Sequence, residues 1–307
     1  MPKYAFFLGG KDAEMVRIAD VLGGGGEKFA DADLGWGAKA SAYGIKIAEA
    51  AETGFIPVLV ELEVDIDLPQ GTVVVDHHGE RSAEPASILQ VLALLDRKPS
   101  RWDELVAAND SGWFHGLQAI GATREEMALV RQADRVAQGI TPAHEREAER
   151  ALTASREMAG AVRVIRMAHS KCATVGDRLA INGVEAGRTM TIPAYLVLSE
   201  DGEANFSGDG ATAAALHVAF PGGWVGGAGL GQADGSAYWG GYPADLEAVV
   251  AFLRERTGYG VGAARARTDI ARSVRGPFNN PFEVGTLEAK GYDEMIAGYL
   301  THQHTGL

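Results

Sequence analysis

Three consecutive side chains that can bind a divalent metal, Asp76, His77 and His78, follow the apolar run Thr72–Val75. Side chains alternate along a strand, so all three converge on one cavity only if the chain turns where the strand ends. Carboxylate and imidazole together suit manganese, iron or zinc. A carboxylate can also bridge two metals about 3.5–4 Å apart, the spacing used in two-metal phosphoester hydrolysis. The tripeptide therefore predicts a metal site at a strand end.

Other acidic residues follow apolar segments elsewhere in the first half of the chain. Glu61 closes the run FIPVLVEL, and Asp110 follows Leu105–Ala108. Acids also recur early, after the first apolar strand and in the string FADADLGWG. We predict that these carboxylates gather around the histidine pair, and the predicted metal ligands are Asp12, Asp31, Asp33, Glu61, Asp76, His77 and Asp110.

The elements that must position these residues alternate between strand and helix. Tyr4–Leu8, Phe55–Leu62 and Thr72–Val75 are strand-like, and amphipathic helices are predicted between and after them. This alternation predicts a doubly wound, mostly parallel α/β sheet over 1–140, whose ligands lie beyond the carboxyl ends of the strands. The charged stretch 123–168 has a helical pattern, so 141–185 is predicted to be a helical linker. Residues 186–307 are predicted to form a smaller α+β domain with a C-terminal extension.

Composition excludes several classes of function. The 307 residues carry a net charge of −13, with a pI near 5.1, so duplex DNA is a poor partner. Cys172 is the single cysteine, so no intramolecular disulfide and no cysteine-based zinc site is expected. Since no window approaches the roughly 20 apolar residues of a membrane span and the N-terminus lacks a signal-peptide pattern, we expect a cytoplasmic protein without membrane contact.

The chain resembles the DHH phosphoesterase superfamily in VVVDHHGE, in the following helix EPASILQVLALL with Ser87, and in Asp110. The resemblance implies a domain that binds two metals, usually Mn²⁺, followed by a DHH-associated C-terminal domain; Mg²⁺, Fe²⁺ or Zn²⁺ would also suit the ligands. It implies that Asp76 is a bridging ligand and His77 the next ligand. His78 would be a ligand or a substrate contact, and Asp110 the acid of the fourth family motif. By position, Glu61 replaces the aspartate of the second motif.

The first family motif, a histidine and two aspartates after the first strand, has two alternative placements. By topology it lies at GGKDAEM, where Lys11 stands near the histidine position and Asp12 is an adjacent acid. By lettering it lies at DADLGWG, where Asp31 and Asp33 have the i, i+2 spacing of the motif. We favour Asp31 and Asp33 slightly because of that spacing. Lys11 is predicted to contact a substrate phosphate.

A glycine-rich segment, PGGWVGGAGLG, follows a predicted helix of the C-terminal domain. Glycine backbones can present N–H groups to an anion at close range, and the segment resembles the substrate-contacting GGH loop of the family, with Trp224 at the histidine position. An indole there can stack on a ring but cannot act as a ligand. The string NFSGDG lacks the arginine that holds phosphate in family members. The predicted substrate contacts are His78, Lys11, Gly222, Gly223, Trp224, Gly226 and Gly227.

The sequence thus predicts a metal-dependent phosphohydrolase with Asp76, His77 and His78 as catalytic residues. Its expected substrate is a small phosphate ester or short nucleotide, attacked by a metal-activated water. Two alternatives stay open at this point: a non-hydrolytic ligand-binding or regulatory protein on the same fold, and a single-strand exonuclease. Absence of an aromatic and basic strand-binding groove counts against the exonuclease. Homodimerisation is a further expectation.

Overall fold

The computed structural model describes residues 2–183, 192–227 and 229–258. The chain divides into two compact units, Met1–Gly139 and Ile140–Leu307. The end of the predicted C-terminal extension, residues 259–307, lies outside the described residues. No helix in the described parts of the chain is long and apolar enough to cross a membrane.

The first unit is built on a four-stranded parallel sheet with strand order β2-β1-β3-β4. Its strands are β1 (Tyr4–Leu8), β2 (Lys28–Asp31), β3 (Ile56–Val60) and β4 (Val73–Val75). Its helices are α1 (Ala13–Gly25), α2 (Gly44–Glu52), α3 (Ser87–Leu94), α4 (Arg101–Ala119) and α5 (Arg124–Ala137), with short 3₁₀ helices at Ala40–Tyr43 and Gly79–Arg81. This arrangement confirms the predicted mostly parallel α/β sheet.

Local sequence signals begin and end these helices. Asp12 caps the N-terminus of α1, and Gly26 ends it in a left-handed conformation with φ +69°. Ser100 with Asp103 and Thr123 with Glu126 form capping boxes at α4 and α5. These caps fix where α1, α4 and α5 begin. The three helices carry Glu14, Asp110 and Asp134 of the site described below.

Two apolar clusters cover the two faces of the first sheet. One includes Phe6, Leu8, Val58 and Val60, packed against α1 and α3. The other includes Phe7 and Leu59 with Tyr43 and residues of α2. Because successive side chains of a strand point to opposite faces, β1 and β3 are apolar throughout and their polar residues stand beyond the strand ends.

The second unit carries a six-stranded mixed sheet with strand order β5-β6-β7-β8-β10-β9. Its strands are β5 (Met158–Ala159), β6 (Val162–Met167), β7 (Tyr195–Ser199), β8 (Ala204–Asp209), β9 (Trp224–Gly226) and β10 (Ser236–Gly241). Its helices are α6 (Pro142–Ala154), α7 (Ala173–Gly183), α8 (Gly210–Ala219) and α9 (Leu246–Thr257). The sequence predicted an α+β unit in this part of the chain. The sheet of this unit has more strands than the sheet of the first unit.

The predicted helical linker 141–185 is wrong in its centre. Helix α6 ends at Ala154, and β5 and β6 follow, joined by a turn at Gly160 with φ +63°. Val162, Val164 and Ile165 are fully buried in the second sheet. Their β-branched side chains fit a buried strand better than a helix, but the charged helical sequence before them hid the change.

Candidate metal centre

Three neighbouring strands of the first sheet end beside a cluster of acids and a histidine. Asp12 and Glu14 follow β1, Glu61 follows β3, and His77 follows β4. Carboxyl ends of parallel strands lie on one edge of a sheet, so these side chains come together there. The remaining member, Asp110, comes from helix α4 and not from a strand end as the sequence pattern suggested.

The imidazole of His77 lies at the middle of the cluster and is 8% exposed. Its Nε2 atom is 2.5 Å from Oδ2 of Asp110, and 3.5 Å from both Oε2 of Glu14 and Oε1 of Glu61. Ligand atoms of Glu61, His77, His78 and Asp110 all lie within 4.8 Å of one another. The spacing suits donor atoms arranged around a cation.

Backbone N–H groups anchor one oxygen of each early acid. Oδ1 of Asp12 accepts a hydrogen bond from the N–H of Met15 at 2.9 Å, and Oε1 of Glu14 accepts one from Ile88, at the start of α3, at 3.1 Å. The second oxygen of each carboxylate is buried without a hydrogen-bond partner among the described residues. The hydrogen bond to one oxygen therefore orients each carboxylate, and the other oxygen is left available to a ligand.

The cluster contains more negatively charged groups than positively charged ones. Burial and the charge of Asp110 raise the pKa of Asp12 to about 8, and burial raises the pKa of Glu14 well above its usual value. The close carboxylates of Asp110, Glu14 and Glu61 raise the pKa of His77 to about 12. One imidazolium cannot balance so many carboxylates in a buried site.

Five buried atoms of the cluster lack a hydrogen bond of acceptable geometry within the described part of the chain: Asp12 Oδ2, Glu14 Oε2, Glu61 Oε1, His77 Nε2 and Asp110 Oδ2. Buried polar atoms are nearly always paired, and a bound ion is one partner that accounts for several unpaired acceptors gathered at one place. Four oxygens and one imidazole nitrogen form a donor set that fits divalent transition metals. The residues present therefore fit a divalent metal.

Backbone strain at Glu61 helps to place its side chain. Glu61 has φ +52°, in the left-handed region that favours glycine, while its N–H donates to the carbonyl of Val75 at 2.9 Å. Gly9 makes this geometry accessible, because a Cβ there would overlap the carbonyl oxygen of Glu61 and lie 2.7 Å from that of Val60. The conformation of Glu61 thus depends on a glycine at the end of β1.

A second layer of polar residues on α4 and α5 supports the cluster from behind. Asp134 accepts from the N–H of Ala13 at 3.2 Å and from Nη1 of Arg131 at 2.7 Å. The same Nη1 donates to Oδ1 of Asn109 at 2.9 Å, next to Asp110. This network links the start of α1, which carries Asp12, to the turn of α4 that carries Asp110.

Asp76 and His78 lie at the edge of the cluster. Oδ1 of Asp76 accepts from the N–H of His78 and lies 2.9 Å from its Nδ1 atom. The His78 side chain is 49% exposed and its ring lies 4.4 Å from that of His77. Asp76 is therefore engaged with His78, whereas the sequence resemblance implied a bridging role.

The slight preference for Asp31 and Asp33 over Asp12 is not supported by the structure. Both are exposed: Asp31 accepts from the N–H of Asp33 at 2.8 Å, and Asp33 forms an ion pair with Lys11. The i, i+2 pair of carboxylates that enters the buried cluster is Asp12 and Glu14. Lys11 lies beside these acids in sequence, with its side chain 38% exposed.

Sequence reasoning missed Glu14 and the supporting network. The spacing of Asp12 and Glu14 was available in GGKDAEM, but an acid in the first turn of a helix has an ordinary explanation in the helix dipole. The supporting residues Asn109, Arg131 and Asp134 carried no recognisable signal, because they lie on helices with many other polar residues.

The solved structures that resemble the chain include two of RecJ and one of PggH. RecJ from Thermus thermophilus in complex with Mn²⁺ has a TM-score of 0.38 and 12% identity, covering 91% of this chain and 57% of RecJ. The Mg²⁺ complex of the same RecJ has a TM-score of 0.36. The pGpG-specific phosphodiesterase PggH from Vibrio has a TM-score of 0.41 and 10% identity, covering 86% of this chain and 99% of PggH.

RecJ and PggH are proteins of the DHH superfamily. No protein-family model and no curated protein matches the chain. This chain spans little more than half of RecJ, and at these TM-scores the side chains of the centre, rather than the likeness, carry the assignment of function.

The glycine-rich segment of the second unit has a structural role of its own. A Cβ on Gly223 would overlap the carbonyl of Gly240, and one on Gly229 would overlap the backbone of Gly235. Trp224 lies on β9 rather than in a loop, with its indole against Gly240. Close backbone packing explains these glycines, and the predicted contacts of Gly222, Gly223, Trp224, Gly226 and Gly227 with substrate stay predictions.

Proposed function

We propose that this chain is a metal-dependent phosphoesterase that hydrolyses a small phosphate ester or a short nucleotide. One observation carries the proposal: buried carboxylates surround His77 at the carboxyl edge of a parallel sheet, and several of their oxygens have no hydrogen-bond partner among the described residues. Such a set of ligands is suited to divalent metal, and the DHH-type tripeptide indicates which chemistry the metal serves.

The residues that would hold metal are Asp12, Glu14, Glu61, His77 and Asp110. Their mixture of oxygen and imidazole ligands suits Mn²⁺, and the number of carboxylates suits a pair of ions. When bound, such ions lower the pKa of water and neutralise charge on phosphate oxygens. Asp31 and Asp33 are left out of this ligand set because both are exposed and engaged elsewhere.

His78 is the residue best placed to exchange a proton with substrate. Its ring is half exposed at the edge of the cluster, and the carboxylate of Asp76 orients it through Nδ1. A carboxylate–histidine pair of this kind leaves Nε2 for a leaving-group oxygen. We therefore assign His78 the role of general acid and Asp76 that of its orienting partner.

The proposal is tested by metal analysis together with a hydrolysis assay on phosphomonoesters, phosphodiesters and dinucleotides. We expect the purified chain to bind two Mn²⁺ ions, and His77→Ala to lose both metal and turnover. His115→Ala, an exposed histidine on α4, is the matched control and should retain both. Metal-loaded protein that binds nucleotides without turnover would instead support a ligand-binding protein.

A single-strand exonuclease would degrade labelled oligonucleotides progressively. The net charge of −13 opposes binding of a long polyanion. We therefore expect turnover of mononucleotide or dinucleotide esters and little degradation of strands.

A further inference from the structure

Trp36 is 64% exposed and lies near Gly10, which is also next to Glu61 of the metal centre. A Cβ built on Gly10 would lie 3.9 Å from Oε2 of Glu61 and 4.0 Å from Cε3 of Trp36. The indole of Trp36 and the carboxylate of Glu61 therefore both lie close to Gly10, just beyond the end of β1. An exposed indole offers a broad apolar face on which a planar ring can stack.

The segment 32–38 that carries Trp36 is held at both ends. The N–H of Ala32 donates to the hydroxyl of Tyr43 at 2.8 Å, and that hydroxyl donates to the carbonyl of Leu8 at 2.7 Å. At the other end, the N–H of Glu63 donates to the carbonyl of Ala38 at 2.9 Å. The indole is therefore presented from a constrained segment, which reduces the entropy lost when a ligand stacks on it.

Positive charge is available beside the same segment. Lys11, next to Asp12, forms an ion pair with Asp33, and both side chains are partly or largely exposed. An exposed pair of this kind contributes little stability, so a phosphate can replace Asp33 as the partner of Lys11. A planar ring at Trp36 and a phosphate at Lys11 are both features of a nucleoside phosphate.

Building on the proposed phosphoesterase function, we infer that Trp36 is a specificity-determining residue that stacks on the base of a nucleoside phosphate. Lys11 contacts the phosphate of the same ligand. The substrate class is therefore nucleotides in preference to aliphatic phosphate esters. Trp36 acts in substrate binding, whereas His78 transfers the proton.

The experiment compares Trp36→Ala and Trp36→Phe with the unaltered chain on two Mn²⁺-dependent substrates, a nucleoside phosphate ester and the ribose phosphate ester that lacks the base. Stacking on an aromatic side chain is worth about 5–150-fold per base. We expect Trp36→Ala to raise KM for the nucleotide by that factor with kcat nearly unchanged, and to leave the base-free ester unaffected. Trp36→Phe should retain most of the affinity.

Two controls make the readout specific. Ile45→Ala removes another exposed apolar side chain of the same unit, 78% exposed, and should change neither KM. Lys11→Ala should raise KM for both substrates by a similar factor, because both carry the phosphate. An equal effect of Trp36→Ala on the two substrates would overturn the stacking role.

Nucleotide binding measured by calorimetry with Ca²⁺, without turnover, separates this inference from the proposed function. Wild-type protein that hydrolyses base-free esters but binds no nucleotide would overturn the inference and leave the phosphoesterase standing. Nucleotide binding weakened by Trp36→Ala in a chain that hydrolyses nothing would support the stacking site and contradict the hydrolase. If a protein partner binds at Trp36 and Trp36→Ala leaves the nucleotide affinity unchanged, the stacking role of Trp36 is also overturned.

Discussion

The Nε2 atom of His77 lies 2.5 Å from the Oδ2 atom of Asp110, which connects the end of β4 to the middle of helix α4. Shortly after Asp110, α4 breaks at Trp113, whose φ of +49° lies in the left-handed region. Gly116 then packs against the carbonyl of Ala108 so closely that a Cβ would overlap it. The break shapes the helix beside the metal centre and depends on a small residue at 116.

Substituting Glu14 by Gln should separate the stability of the metal-free protein from its metal affinity. The change removes one of the carboxylates that approach His77, so in chelator the melting temperature should equal or exceed that of the unaltered chain. With Mn²⁺ a hundredfold above its dissociation constant, the unaltered chain should gain about 2.7 kcal/mol of stability for each ion bound. Glu14→Gln should need at least tenfold more Mn²⁺ for the same shift in melting temperature.

The matched control is Glu63→Gln. Its side chain is 61% exposed and lies 3.8 Å from Lys39, away from the cluster. Mn²⁺ should stabilise this variant as it does the unaltered chain. Equal loss of Mn²⁺ response in both variants would show that general negative charge, and not the buried cluster, attracts the metal.

Gly9 and Gly10 give a second paired test. Ala at position 9 would force the Glu61 carbonyl away from β1, and overpacking of this kind costs about 1–3 kcal/mol. Gly9→Ala should therefore lower the free energy of unfolding in urea and weaken Mn²⁺ binding together. Gly10→Ala meets its neighbours only at 3.9 and 4.0 Å, so its stability should stay within about 0.5 kcal/mol. Unaltered Mn²⁺ affinity in Gly9→Ala would contradict the link between β1 and Glu61.

Asp134→Asn tests the supporting network. Asparagine keeps the size and one acceptor oxygen, but weakens the contacts that Arg131 and the Ala13 N–H make with the carboxylate. Because partners behind metal ligands tune affinity, we expect Mn²⁺ to bind about 10–100-fold more weakly. Isothermal titration measures this, and Glu125→Gln, an exposed acid on the same helix, should leave Mn²⁺ affinity unchanged. Identical Mn²⁺ affinities in all three proteins would exclude a positioning role for Asp134.

The site residues that follow strands could be predicted from the sequence, because buried strands have a recognisable apolar pattern. Buried runs before Glu61 and Asp76 predicted β3 and β4, and parallel pairing then placed the residues after them on one edge of the sheet. Asp110 required tertiary information, because Leu105–Ala108 is too short an apolar run to distinguish helix from strand. Its position after an apolar run and the family resemblance both predicted that Asp110 belongs to the site, but neither predicted that it lies on a helix.

The unpredictable part lies where an ordinary local explanation competes with a functional one. Asp12 caps α1 and Glu14 stands in its first turn, both common for helix stability alone. Asp31 and Asp33 had the right spacing, but Asp31 ends β2, an edge strand of the sheet, and Asp33 lies just beyond it, where both are exposed. Burial, which sequence spacing does not encode, decides between the two pairs.

Asp103 provides a pH-dependent test outside the metal centre. Burial opposes its charge, but Nε of Arg17, at 2.7 Å, and the capping bonds from Ser100 outweigh that effect and lower the pKa of Asp103. A lowered pKa in the folded state contributes stability that is complete above the unfolded value of about 3.9, and is lost as pH falls through the folded value. Asp103→Asn should therefore cost about 2 kcal/mol at pH 7.

The difference in the free energy of unfolding between the unaltered chain and Asp103→Asn should become smaller as pH drops below about 3.9. It should vanish once Asp103 is protonated, because residue 103 is then neutral in both proteins. Urea unfolding at a series of pH values measures the difference. Glu104→Gln is the control, since its side chain is 48% exposed and its contact with Arg101 is long at 3.4 Å; it should change stability by less than about 0.5 kcal/mol. A difference for Asp103→Asn that stays constant into strong acid would mean that the loss of capping geometry, and not of charge, weakens the junction of α1 and α4.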